Sequence, residues 1–255
     1  MLRRDDLLNG YFILQDPSKF CFGIDAVLLA HYPAVRPRDR ILDIGCGFAP
    51  IPLILHAEAE KRGYDGVRIT GLEILPDVAD TARRSVAENG ISEGRINIIT
   101  GDINEASGLF PAASFSLITC NPPYMQVKDG FVADNPARAA ARTELFCTLE
   151  DVIRESAKLL KMNGRLALIH RPGRLAELIS LMRHYKLEPK RMRLIYPSAD
   201  AEPTMVLVEA VKGAQMHLKV GPPLIIYDEA HKYTEEIHRI YGWNALPGGH
   251  TDRKS

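Results

Sequence analysis

The chain has 255 residues, long enough to bury a full core as one large α/β domain or two small ones. Its composition is that of an ordinary soluble globular protein, 46% hydrophobic and 25% charged, and its 32 basic and 32 acidic residues cancel to a formal net charge of zero. Neutrality argues against a surface that binds nucleic acid all over, so any such contact has to use a local basic patch, and the lack of an 18-residue apolar run excludes a membrane-spanning helix.

In chain order, the first 35 residues read as an extension in which 23–31 is helical. Arg40–Ile44 is predicted as a strand and 51–61 as a helix after a glycine-containing turn. A strand over 68–73 and a helix over 76–89 follow, the latter opening with Pro-Asp and closing at Asn89-Gly90. Further strands are expected over 96–100 and 115–120, a helix over 149–160, a strand over 164–169 and a helix over 172–185. Two last strands, 191–196 and 204–211, are joined without a helix and should therefore pair antiparallel. Strands alternating with helices of this length imply a mostly parallel sheet covered on both faces. Residues 229–241 read as an amphipathic helix and 246–255 as a frayed tail.

Asn121-Pro122-Pro123-Tyr124 closes the apolar run 115–120. Two prolines donate no N–H and fix φ, so the chain must leave the sheet there in a stiff, extended turn. An amide before that turn and an aromatic ring after it form a clamp for a planar group bearing an amine, such as a nucleobase; an ordinary Pro-Pro turn is the other reading. The first β–α turn is Asp43-Ile44-Gly45-Cys46-Gly47-Phe48-Ala49-Pro50, where Gly45 and Gly47 permit a tight turn and close approach of a ligand. A third glycine is absent, so the full dinucleotide fingerprint is not present. Glu73 ends the second strand, where a carboxylate can accept both hydroxyls of a ribose. Asp102 ends the third, where it either bonds an adenine amino group or caps a turn. Three acids at the carboxyl ends of parallel strands suit a cationic cofactor better than a diphosphate, and S-adenosylmethionine fits that inventory. Cys21, Cys46, Cys120 and Cys147 form no C-x-x-C pair, residues 1–6 lack the apolar stretch of a signal peptide, and the eight histidines show no metal-binding spacing. The expectation is a cytoplasmic protein with reduced thiols and no metal.

On these residues the chain resembles class I S-adenosylmethionine-dependent methyltransferases of the Asn-Pro-Pro-Tyr type, over residues 38–211. It is most similar to the bacterial valine-tRNA adenine-37 N6-methyltransferase family and its Gram-positive relatives. That likeness rests on Phe22-Gly23-Ile24-Asp25-Ala26-Val27-Leu28-Leu29-Ala30, similar to the family's Phe-Gly-x-Asp-x-x-Leu-Leu, and on Ala141-Arg142-Thr143-Glu144 and Leu187-Glu188-Pro189-Lys190-Arg191. Where relatives carry Gly-Thr-Gly after the cysteine, this chain has Gly47-Phe48-Ala49, followed by Pro50 and Pro52.

The resemblance implies a Rossmann-like α/β fold with a mostly parallel seven-stranded sheet and a C-terminal antiparallel hairpin. It implies one methyltransferase domain over 1–245, made of an extension (1–35), a cofactor-binding core (36–211) and a C-terminal cover (212–245). S-adenosyl-L-methionine would be bound by Asp43, Gly45, Gly47, Glu73, Asp102 and Asn121. Asn121, Pro122, Pro123 and Tyr124 would be catalytic, orienting an exocyclic amine without a covalent intermediate or strong base. Phe22 and Asp25 either line the cofactor pocket or belong to a capped covering helix. Residues 126–142, with Lys128, Arg138 and Arg142, are either a substrate loop beside Tyr124 or a plain surface loop. The cationic stretch 183–193 either contacts phosphates or is a solvated helix end and edge strand. The favoured substrate is adenine N6 of tRNA. Alternatives are guanine N2 in RNA, DNA adenine, a protein glutamine, or a cofactor-binding module without catalysis.

Overall fold

The computed structural model describes residues 2–7, 10–122 and 147–242. Its elements, in chain order, are β1 (Arg3–Asp6), β2 (Phe12–Gln15), α1 (Ile24–His31), β3 (Arg40–Ile44), α2 (Pro50–Lys61), β4 (Arg68–Glu73), α3 (Pro76–Glu88), β5 (Ile96–Thr100), α4 (Ala106–Leu109), β6 (Phe115–Cys120), α5 (Leu149–Leu159), β7 (Leu160–His170), α6 (Leu175–His184), β8 (Leu187–Tyr196), β9 (Met205–Lys212), β10 (Lys219–Val220), β11 (Leu224–Ile225) and α7 (Glu235–Ile240). Ile41 and Leu42 are neighbours in β3 and both are buried, yet they belong to separate apolar cores. Successive side chains of a strand point to opposite faces, so this split marks a sheet covered on both sides. Helices α1, α2 and α3 contribute Leu28, Leu53 and Val78 to one core, and α5 and α6 contribute Val152 and Leu178 to the other.

The strand order is β5-β4-β3-β6-β7-β9-β8-β10, with β11 also beside β8. Strands β3 to β7 run parallel, and β9 is antiparallel to both β7 and β8. The seven strands read from the sequence are all present, and the short β10 and β11 extend the sheet beyond them. Strand β8 starts at Leu187 rather than Arg191, because a register shift between Pro189 and Arg191 accommodates the proline's missing N–H. The helix expected over 172–185 opens with a 3-10 turn, Pro172–Arg174. The last helix is six residues long instead of the thirteen expected. The Asp228 carboxylate accepts the N–H groups of Ala230 and Lys232 at 2.9 Å, which folds 228–232 into a turn and delays the helix to the Thr234 cap. The tail 246–255 lies outside the described residues.

The β1–β2 hairpin was not foreseen in the sequence. Its inner strand, 12–15, is wholly buried, and its backbone is held by polar side chains of α3 and its cap: Phe12 N–H donates to Asn89 Oδ1 (3.0 Å), Asn89 Nδ2 to the Phe12 carbonyl (2.7 Å), and Leu14 N–H to Ser85 Oγ (3.0 Å). These partners lie more than 70 positions away along the chain. A local reading of Arg3-Arg4-Asp5-Asp6 gives no sign of them.

Gly71 fixes how closely β4 approaches the glycine turn after β3. A Cβ there would stand 2.7 Å from Cys46 Sγ and 2.8 Å from Ile98 Cδ1. Gly71→Ala is therefore expected to lower stability by roughly 1–3 kcal/mol through overpacking. A lower urea midpoint with unchanged slope is the readout.

Candidate active site

The sheet register brings the turns of the site to one edge. Ile44 pairs with Leu72 on one side and Cys120 on the other, and Glu73 pairs with Thr100. The chain therefore leaves β3, β4, β5 and β6 at the same level, at the carboxyl end where open parallel sheets bind ligands. A cavity of about 870 Å³ lies there, within the usual range for small-molecule sites. Its wall includes Gly45, Gly47, Glu73, Asp102, Asn121 and Pro122 from the strand ends, and Phe22 and Asp25 from the N-terminal segment.

The glycine turn is fastened to β4, since Gly45 and Cys46 both donate their N–H to the Leu72 carbonyl, at 2.8 and 3.0 Å. Gly45 and Gly47 have φ of 66° and 55°, the left-handed region that favours glycine. The departure at Phe48-Ala49 has a physical partner. Phe48 is 1% exposed and packs on Phe20, with ring centroids 4.8 Å apart, so this chain ties its N-terminal loop to the turn by an aromatic pair. Pro50 and Pro52 sit in the first turn of α2, where N–H groups lack intrahelical partners anyway. Their missing donors also make that helix start a poor diphosphate cradle.

Glu73 is 6% exposed, and each of its oxygens accepts one backbone N–H, Oε2 from Gly47 (2.9 Å) and Oε1 from Leu75 (3.0 Å). Each oxygen keeps a second acceptor site for a ribose hydroxyl. Burial pushes the Glu73 carboxyl above the usual carboxylate range. Asp102 caps the turn 103–105: its Oδ1 accepts from Asn104 N at 2.8 Å and Nδ2 at 3.1 Å, while the residue still lines the cavity.

Asp43 is placed differently from the other acids. It is 0% exposed and is not part of the cavity wall. Thr119 donates to its Oδ1 at 2.6 Å, and Oδ2 has no hydrogen-bond partner among the described residues. Burial, with Glu73 adding to it, pushes the carboxyl up to about 8. The folded state then holds a proton that the unfolded chain releases at the ordinary carboxylate value, near 4. Stability accordingly falls as pH rises from about 4 to about 8, by up to about 1.4 kcal/mol per unit for this one proton, and the dependence ends above about 8. Asp43→Asn is expected to remove that slope, read from urea unfolding of both proteins between pH 5 and 8. An unchanged slope would mean that Asp43 is ionised when folded.

Asn121 closes the site from β6. Its Nδ2 donates to Asp25 Oδ2 at 3.0 Å, so the amide of the proline turn is held by the N-terminal helix. Pro123, Tyr124, Lys128, Arg138 and Arg142 lie outside the described residues. The stretch 183–193 is largely engaged within the fold: Arg191 bonds Glu209, Arg193 bonds Glu236, and Lys190 donates to the Gln215 carbonyl. Sequence reading missed Phe20, Lys19 and Arg171, which also line the cavity. Arg171 follows the end of β7, so the strand-end rule that found Glu73 and Asp102 would have found it too.

Among the described residues, the nine-strand sheet, its strand order and the acidic side chains at its carboxyl edge define the class: a Rossmann-like class I methyltransferase. The chain belongs to the methyltransferase-domain family, whose model matches residues 36–236. It is 34% identical over 227 residues to a tRNA1(Val) (adenine(37)-N6)-methyltransferase of Porphyromonas gingivalis, covering 86% of each chain. A protein of the same name from Parabacteroides distasonis is 28% identical over 242 residues, covering 92% of this chain and 97% of that one. Among solved structures it is similar to a predicted O-methyltransferase, protein Atu636 from Agrobacterium tumefaciens, with a TM-score of 0.66, 26% identity, and coverage of 86% of this chain and 95% of that one. The geranyl diphosphate C-methyltransferase of Streptomyces coelicolor, crystallised with S-adenosyl-L-homocysteine, shares the fold at 17% identity and a TM-score of 0.54, covering 74% of this chain and 78% of that one. This protein is thus an S-adenosylmethionine-dependent methyltransferase. Among the described residues no helix is long and apolar enough to cross a membrane.

Proposed function

We propose that the protein methylates an exocyclic amine, adenine N6 of a tRNA, and that residues 1–245 act together in this as one cytoplasmic enzyme. The observation that carries the reading is that Asn121 and Pro122, the start of the diproline turn, share one cavity wall with Glu73, Asp102 and the glycine turn. The printed names of the relatives from P. gingivalis and P. distasonis support adenine as the acceptor.

The residues fit the cofactor. Glu73 offers acceptors to a ribose, Asp102 to an adenine amino group, and the turn at Gly45 and Gly47 admits close approach. Asp43 stands behind the turn and outside the cavity wall, where burial keeps its carboxyl protonated below about pH 8, so it adds no charge to the pocket. When bound, S-adenosylmethionine supplies a methyl carbon made electrophilic by its sulfonium. Asn121 Oδ1 and the Pro122 carbonyl would accept the two N–H groups of the amine and turn its lone pair toward the donor. That is catalysis by orientation and by fixed dipoles, with no proton removed before attack. Tyr124 would stack on the base, worth roughly 1–3 kcal/mol. Lys128, Arg138 and Arg142 would form the local basic patch that meets tRNA phosphates.

The test is transfer of labelled methyl from the cofactor to total RNA, DNA and protein from methylation-deficient cells, followed by nuclease digestion. Label in N6-methyladenosine of the tRNA fraction is the expected result. Label confined to guanosine, to DNA, to protein or to an oxygen acceptor would replace the adenine reading with the one observed.

A further inference from the structure

We propose that Asp25 is a positioning residue, which sets the end of the Asn121 amide that meets the incoming amine. The inference rests on the proposed role of Asn121 and deepens it. A primary amide has a donating and an accepting end of nearly the same shape. Only the oxygen end can receive the N–H of an amine; the NH₂ end would meet it donor to donor. A catalytic Asn therefore needs a neighbour that breaks the symmetry.

Asp25 is that neighbour. A carboxylate only accepts, so the 3.0 Å contact between Asn121 Nδ2 and Asp25 Oδ2 assigns nitrogen to the Asp25 side and oxygen to the other. The carboxylate is itself held: Oδ1 accepts from Ala26 N–H at 2.9 Å. Gly23 makes room for this arrangement, since a Cβ there would stand 2.8 Å from Asp25 Oδ1. Helix α1 provides a rigid base, with Ala26 through Ala30 all buried in the core. The two residues are 96 positions apart, so the N-terminal segment completes the catalytic corner as well as walling the cavity.

A swap experiment separates this role from a structural or cofactor-binding one. Asp25→Asn, whose amide offers Asn121 either end, is expected to lower kcat about 10-fold with the cofactor Kd changed less than about threefold. Asn121→Asp, which opposes two carboxylates, should lose about 10²-fold. Combining both changes restores an acceptor at 121 and a donor at 25, and should recover about 10-fold over Asn121→Asp alone. Failure of the double variant to exceed Asn121→Asp, or a cofactor Kd weakened 10-fold or more by Asp25→Asn with kcat kept, would overturn the proposal. Rates are compared as ratios on whichever amine the wild type methylates, so a wrong acceptor assignment leaves this test intact. A second readout needs no substrate: the side-chain amide resonances of Asn121, identified by their loss in Asn121→Ala, should shift upfield in Asp25→Asn. Unmoved resonances would contradict the hydrogen bond itself.

Discussion

Asn121→Ala is expected to lower kcat by about 10²–10³-fold while leaving the cofactor dissociation constant within about threefold. The amine that attacks has its lone pair delocalised into a ring, so the reactive geometry has to be imposed. In the proposed role Asn121 would supply one of the two acceptors that impose it, and its amide is already bonded to Asp25 before substrate arrives. Removing a single preorganised polar group from such a site has an effect of this size in other enzymes. Folding should be little affected, because Asn121 is only half-buried and lies just past the end of β6, whose six residues all stay buried. Isothermal titration and single-turnover kinetics on one preparation check both halves. A large loss of cofactor affinity would place Asn121 in the cofactor site alone.

Glu73→Ala should produce the opposite split, weakening cofactor binding by about 10²-fold and leaving kcat at saturating cofactor largely intact. Hydrogen bonds to a charged group contribute about 1.5–3 kcal/mol each, and in the proposed role Glu73 would offer one acceptor per oxygen to the ribose. The same oxygens anchor Gly47 and Leu75, so the glycine turn loosens as well. Glutamine is no conservative replacement here. Its NH₂ would face one of two backbone N–H donors, and Glu73→Gln is expected to lose nearly as much as Glu73→Ala. Because burial raises the Glu73 carboxyl, cofactor affinity should also begin to fall at a higher pH than an ordinary glutamate would give as the solution is acidified. Equilibrium binding across pH 4.5 to 8 measures this. Affinity for Glu73→Gln equal to that of the wild type would remove Glu73 from the ribose site.

Much of this architecture was legible because its signals are local. The parallel strands read as short apolar runs between turns, and Gly45, Glu73 and Asp102 stand at their ends. The diproline corner announced itself by chemistry that no central strand tolerates. What escaped the sequence depends on distant pairings. The β1–β2 hairpin gains its partners from α3, and Phe20 is meaningful only beside Phe48. Asp25 was marked by its motif, but its bond to Asn121 joins ends of the site that only the fold brings together. Asp43 shows the converse: an acid at the right position in the pattern is sealed under Thr119, outside the cavity wall.

The most direct measurement is a crystal structure of the protein with S-adenosylmethionine or a stable analogue. Ribose hydroxyls are expected on Glu73, and the transferable methyl within roughly 5 Å of the Asn121 side-chain oxygen, as an attack distance of about 3–3.5 Å requires. A methyl lying more than about 10 Å from that oxygen, beyond any near-attack arrangement, would contradict it.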